Sequence, residues 1–212
     1  MSTRSWKAVV PEGAFWQSLD PVISSTVVGH LSPAELNHPN LDPSLSNPEK
    51  LALLEKTLIQ KLPLIDNDYT RTQSLNSALF HIYRGTGDLE KQEKVLLQLV
   101  NNSSPNGPDL PALQNLAALY EEKGEHAKAE ELARETLPLL QGHPVLGKDS
   151  PQSLGSLRIL INALWKQGKT EEAEQAIQEA RSSIGRLEGG QFAAYQQEEK
   201  DALDKVVAEL KK

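Results

Sequence analysis

Between Pro111 and Leu140 apolar and polar positions alternate with the period of a helix. Leu113, Leu116, Ala117 and Tyr120 make one stripe, and Ala129, Leu132, Ala133 and Leu137 make another. Gly124 lies between them, where a left-handed C-terminal cap suits a residue without Cβ. The stretch predicts two helices in a hairpin. Neither helix hides its own stripe, so the hairpin requires neighbours. Downstream the pattern returns as Leu157, Leu160, Ile161 and Leu164, then Gly168, then Ala173, Ile177 and Ala180. Upstream, Leu79, Phe80 and Tyr83, then Gly87, then Leu96 and Leu99 give a weaker copy. Three glycines keep one register, and self-similarity at a period of roughly 34–45 residues predicts a helical solenoid.

The clearer copies, NLAALYEEKGEHAKAEEL and LGKDSPQSLGSLRILINALWKQGKTEEAEQAIQEA, resemble the tetratricopeptide repeat family. The joint LGKDSP and the phrase QGKTEEAE are similar to the longer repeats of kinesin light chains, with Ser150 where the usual LG-x-D-H-P has histidine. The resemblance covers residues 70–185. It implies an all-α fold, a short right-handed solenoid of about three helical hairpins. It also implies that the first helix of each hairpin lines a concave groove. The core stripe then fixes which positions face that groove. They are Ser77, His81 and Arg84 in the first copy, Gln114, Ala118 and Glu121 in the second, and Arg158, Asn162 and Trp165 in the third. Asn115 falls where family members often hold a peptide backbone, and its amide both donates and accepts. Trp165 is the sharpest member, because aromatic anchors dominate binding energies. Glu121 and Arg158 are expected to form an ion pair between neighbouring repeats.

The flanks differ. Residues 1–47 hold Trp6, Phe15 and Trp16 together with Pro11, Pro21, Pro33, Pro39 and Pro43, a spacing that forbids a long helix. Val22–Val28 is rich in β-branched residues and is expected to be extended, and Ser32–Leu36 to form one capped helical turn. The segment reads as an irregular N-terminal arm packed on a repeat domain of residues 48–212. Asn47 is the expected cap of a helix carrying Leu51, Leu54, Leu58 and Ile59, the second half of a degenerate repeat. Gly85 and Gly87 are expected to end the helix that starts near Tyr69. The loop Asn101–Pro108 is not expected to be a domain boundary. Asp149 or Ser150, with Pro151, opens the third copy. Residues 191–210 are expected to form a polar C-terminal capping helix.

Composition narrows function mainly by exclusion. The chain has 212 residues, 38% hydrophobic and only 5% aromatic, which suits a Leu/Ala helical core. A formal charge of −7 argues against a general nucleic-acid binder. Cysteine is absent, which removes disulfides, thiolate catalysis and Cys-based zinc sites. The first residues lack the apolar run of a signal peptide and no stretch is apolar enough to span a membrane, so a cytoplasmic protein is expected. No phosphate loop or HExxH occurs, and the five histidines have no ligand spacing, so neither a metal nor a cofactor is expected. Lys166 and Lys169 read as solvated helix ends. Repeat proteins of this kind that grip acidic C-terminal tails use a clamp of lysine, arginine and asparagine; of the matching places Ser77, His81, Asn115, Gly155 and Ile159 only Asn115 agrees, so that role is rejected. The favoured reading is a non-enzymatic interaction module holding a peptide or helix of a protein partner in the groove. The alternative is a cofactor-free enzyme or small-molecule binder, with a pocket between the arm and the groove and His81, Arg84, Glu121 and Asn162 as its polar groups. A third arrangement has the arm filling the groove as an internal ligand.

Overall fold

The computed structural model describes residues 11–65, 68–102 and 107–210. Among them every regular element is helical, so the protein is all-α. The chain forms two compact units, Met1–Ser104 and Pro105–Lys212. The division falls inside the loop that was expected not to be a boundary. Short local hairpins hold most of their contacts with sequence neighbours, so a polar loop is enough to separate two such stacks.

In the first unit, α1 (Ala14–Gln17), α2 (Pro21–Val28) and α3 (Pro33–Leu36) precede α4 (Asn47–Ile59). A 3-10 turn, Leu62–Leu64, leads to the hairpin of α5 (Tyr69–Thr86) and α6 (Leu89–Asn101). The arm is therefore more helical than its prolines and β-branched residues suggest. Val22–Val28 is helix, not strand. Asp20 caps it, accepting from the Val22 and Ile23 amides at 2.7 and 3.3 Å, and Pro21 occupies the first turn. Ile23, Ser24 and Val27 are then buried on one face, and packing overrides intrinsic propensity. Phe15, Trp16 and Leu19 are buried as well; Trp6 lies outside the described residues. The arm is tied to α4 by Lys50, which is buried. Its Nζ donates to Ser18 Oγ at 2.9 Å and stands 5.7 Å from the Phe15 ring centroid. At the other end of α4, Lys61 Nζ lies 2.7 Å from Glu35 Oε1. The cap of α4 is Ser46 rather than Asn47: the Glu49 carboxylate accepts from the Ser46 amide at 2.8 Å and from its hydroxyl at 2.6 Å.

Gly87 closes α5 with φ 71°, as expected, but Gly85 does not end the helix. It lies inside α5 and lets two other helices approach. A Cβ built there would stand 2.9 Å from Ile23 Cδ1 and 3.1 Å from Leu51 Cδ1.

The second unit stacks α7 (Leu110–Glu122), α8 (His126–Gly142), α9 (Pro151–Lys166), α10 (Thr170–Arg186) and α11 (Gln196–Leu210). Each of α8 and α10 packs on the helix before it and the helix after it. Gly124 and Gly168 turn the two hairpins with φ 75° and 76°. Ser150, fully buried, is the cap that opens α9, donating to the Gly147 carbonyl at 3.0 Å and accepting from the Ser153 amide at 3.2 Å. Asp149 is left to pair with Arg186 at 2.7 Å. The last helix begins at Gln196, after a 3-10 turn at Ala193–Tyr195, rather than at 191. Leu203, Val207 and Leu210 close it onto a core of Leu154, Leu157, Ile161, Leu164, Ile177 and Ala180. The burial of such side chains, about 1.5–3 kcal/mol each, is what makes helices of this length stable.

Candidate functional site

The expected groove residues divide between the two units. In the second unit, the stripe Leu113, Leu116, Ala117 and Tyr120 is buried where α7 meets α8. The flank of α7 beside that stripe faces α9. Gln114 Nε2 donates to the Gln152 carbonyl at 2.8 Å and to Ser156 Oγ at 3.2 Å. About two turns further along α7, Asn162 Nδ2 donates to Glu121 Oε1. The next step repeats this: Arg158 of α9 donates to the buried carboxylate of Glu199 on α11. Four of the expected groove side chains, Gln114, Glu121, Arg158 and Asn162, therefore take part in rungs between successive first helices, Asn162 as the donor to Glu121. The expected Glu121–Arg158 ion pair does not form. Each residue reaches forward to the next helix, not to the other's rung.

Burial pushes the Glu121 carboxyl up, against the hydrogen bond from Asn162 and the charge of Lys166. Gly155 makes the first rung possible, because a Cβ there would meet Gln114 Nε2 at 2.8 Å. Trp165 is half-buried against the core of the second unit, as is Val206 of α11. What the rungs leave over lies on the face of α7 and α9 turned away from α8. Asn115 is half-buried and its amide meets no hydrogen-bond partner among the described residues, Ala118 is exposed, and Ile159 is half-buried.

On the opposite flank Glu130 collects three donors. Lys169 Nζ stands at 2.6 Å, Gln167 Nε2 at 2.7 Å and Arg134 Nε at 2.9 Å. Burial pushes this carboxyl up, but the three hydrogen bonds outweigh it and hold it below the usual carboxylate range. Lys169 is therefore a structural partner rather than a purely solvated helix end. Lys166 is exposed, as expected.

In the first unit, α2 lies along the groove-facing flank of α5. Ile23 meets Gly85 at one end, and His30 Nε2 lies 3.2 Å from Ser74 Oγ at the other. The order of these pairs makes α2 antiparallel to α5. Asp20, Val22 and Ile23 of the arm, with His81, Arg84 and Gly85 of α5, line an open cleft of about 360 Å³. The His81 imidazole is half-buried. Burial lowers its pKa, the Arg84 charge lowers it further, and Asp20 pulls the other way. Arg84 is exposed and Ser77 is half-buried. Among the described residues no cluster of His, Asp and Glu suits a metal ion.

Sequence reasoning missed Glu199, Ser156, Gln152 and Asp20. The first had a signal: Asn162 and Glu199 each stand 41 residues after the residue they bond. Val206 stands at that same spacing from Trp165.

No family model matches the chain, and no curated protein matches it. Two solved structures do. Both are crystal structures of Podosopora anserina "putative kinesin light chain nearly identical TPR-like repeats". The Q17M form is 18% identical over 80% of this chain and 78% of that one, with a TM-score of 0.56. The other is 17% identical over 82% of each, with a TM-score of 0.55. At such identity the likeness concerns the fold, which is TPR-like, as the glycine register and the quoted motifs implied. Among the described residues no helix is long and apolar enough to cross a membrane.

Proposed function

We propose that the second unit is a protein-interaction module. Its ligand is a peptide or helical segment lying on the face of α7 and α9 turned away from α8. One observation carries this reading. The polar groups flanking that face are consumed by the rungs, whereas Asn115 keeps an amide free to bond a backbone, beside half-buried Ile159 and exposed Ala118. The expected binding set is thereby reweighted. Gln114, Glu121, Asn162 and Arg158 hold the platform, and Asn115, Ile159 and the open part of Trp165 meet the partner. With Arg158 neutralised by Glu199, recognition rests on backbone bonding and apolar contact rather than on charge.

The test is selection of a peptide from a random library against the full chain, followed by titration calorimetry of that peptide. Asn115→Ala is expected to weaken binding about tenfold. Unchanged affinity with both Asn115→Ala and Ile159→Ser would remove this face from the account.

A further inference from the structure

The cleft between α2 and α5 lies in the first unit and has no part in the platform just described. Opposite charges line it. Asp20 stands at the start of α2 and Arg84 near the end of α5, and no ion pair joins them. The same cleft is lined by the apolar edge of α2, with Val22 47% exposed, and by Gly85. His81 borders the same space with a half-buried ring whose neutral form is favoured by burial and by Arg84, against the pull of Asp20. The cleft, about 360 Å³, falls at the lower end of the range for small-molecule sites.

We propose that this cleft binds a small zwitterion of the α-amino-acid type: Arg84 takes its carboxylate, Asp20 its ammonium, and Val22 and Ile23 a short aliphatic side chain. An anion alone would meet Asp20 as a repelling charge, and a cation alone would meet Arg84. A ligand carrying both signs satisfies the two charged side chains of the cleft at once. The planar guanidinium suits a carboxylate through two parallel bonds. Half of the Asp20 carboxylate is already engaged by the α2 amides, which leaves its second oxygen for the ligand. Of the polar groups expected in a pocket between the arm and the groove, only His81 and Arg84 line this cleft, and the proposal stands whether or not the second unit binds a peptide.

The experiment titrates the full chain with L-valine, followed by chemical-shift changes at the His81 imidazole and the Gly85 amide. A saturable shift is expected, with an affinity on the order of millimolar for so open a site. N-acetyl-L-valine and L-valinamide, each lacking one charge, are expected to bind about tenfold more weakly. Arg84→Gln and Asp20→Asn are expected to cost about tenfold as well; asparagine keeps the cap of α2, so the fold is retained. Asn115→Ala, in the second unit, is expected to leave valine binding unchanged. No saturable shift up to the solubility of valine would overturn the proposal. So would indifference to both charge variants, or equal binding of inorganic phosphate, which would mark a plain anion site.

Discussion

The face of α5 in the first unit and the face of α7 in the second descend from the same repeat pattern and meet different neighbours. In the second unit α9 runs parallel to α7, and polar side chains bridge the two helices at sequence separations of 38 to 42 residues. In the first unit α2 runs antiparallel to α5, and contact is made by an isoleucine over a glycine. The repeat fixes a core, but what lies beside the first helix depends on the segment that arrives there. Where another repeat arrives, polar rungs form and an open face remains. Where the arm arrives, apolar packing forms and a small charged cleft remains.

The comparison can be broken at its strongest rung. Arg158→Ala leaves the Glu199 side chain, 7% exposed, without its partner. A loss of about 3 kcal/mol is expected in urea unfolding, and most of it should return when Glu199→Leu is added. A small loss would mean that α11 does not depend on this rung.

Gly85→Ala sharpens the other side. The added methyl meets Ile23 and Leu51, and a cost of about 2 kcal/mol is expected. Ile23→Ala in the same chain should absorb part of it, giving a coupling energy in a double-mutant cycle. Purely additive effects would show that α2 is not seated there.

Glu130 sets a pH dependence peculiar to the second unit. Its folded pKa is depressed, so the folded state binds fewer protons than the unfolded one as pH falls below the ordinary carboxylate range. Its contribution is present above the unfolded value of about 4.5 and is lost as pH drops through the folded value. Glu130→Gln is expected to lower stability by about 1 kcal/mol at neutral pH and to flatten the acid limb of stability against pH. Glu121 works in the opposite sense. Its raised pKa means that stability declines as pH rises from the unfolded to the folded value, so Glu121→Gln should remove a small loss rather than cause one.

The smallest expected effect separates platform from partner surface. Gln114→Ala should cost about 1 kcal/mol through its lost bonds to α9, whereas Asn115→Ala should leave the unfolding midpoint nearly unchanged. Equal costs would show that Asn115 is also structural.

Much of the fold was legible in the chain. Gly87, Gly124 and Gly168 mark left-handed turns that no other residue adopts as cheaply, and the apolar stripes specify which side of each helix is buried. These are local constraints and can be read one helix at a time. The charged partners were less accessible, since Glu121 and Arg158 look complementary on neighbouring helices yet each bonds elsewhere. Helical position tells which flank a side chain occupies but not how far one helix is shifted along the next. Val22–Val28 was misread for a related reason: β-branched residues accept a helix once Asp20 caps it and Ile23 and Val27 find a surface to cover.

The amino-acid order alone thus determined the helices of the repeats, their turns and their buried stripes, because each depends on contacts a few residues apart. Packing alone decided that Gly85 admits the arm, that Arg158 belongs to Glu199, and that Asp20 and Arg84 face one cleft. Those outcomes depend on the axial shift and direction of one helix against another, which only the assembled core fixes.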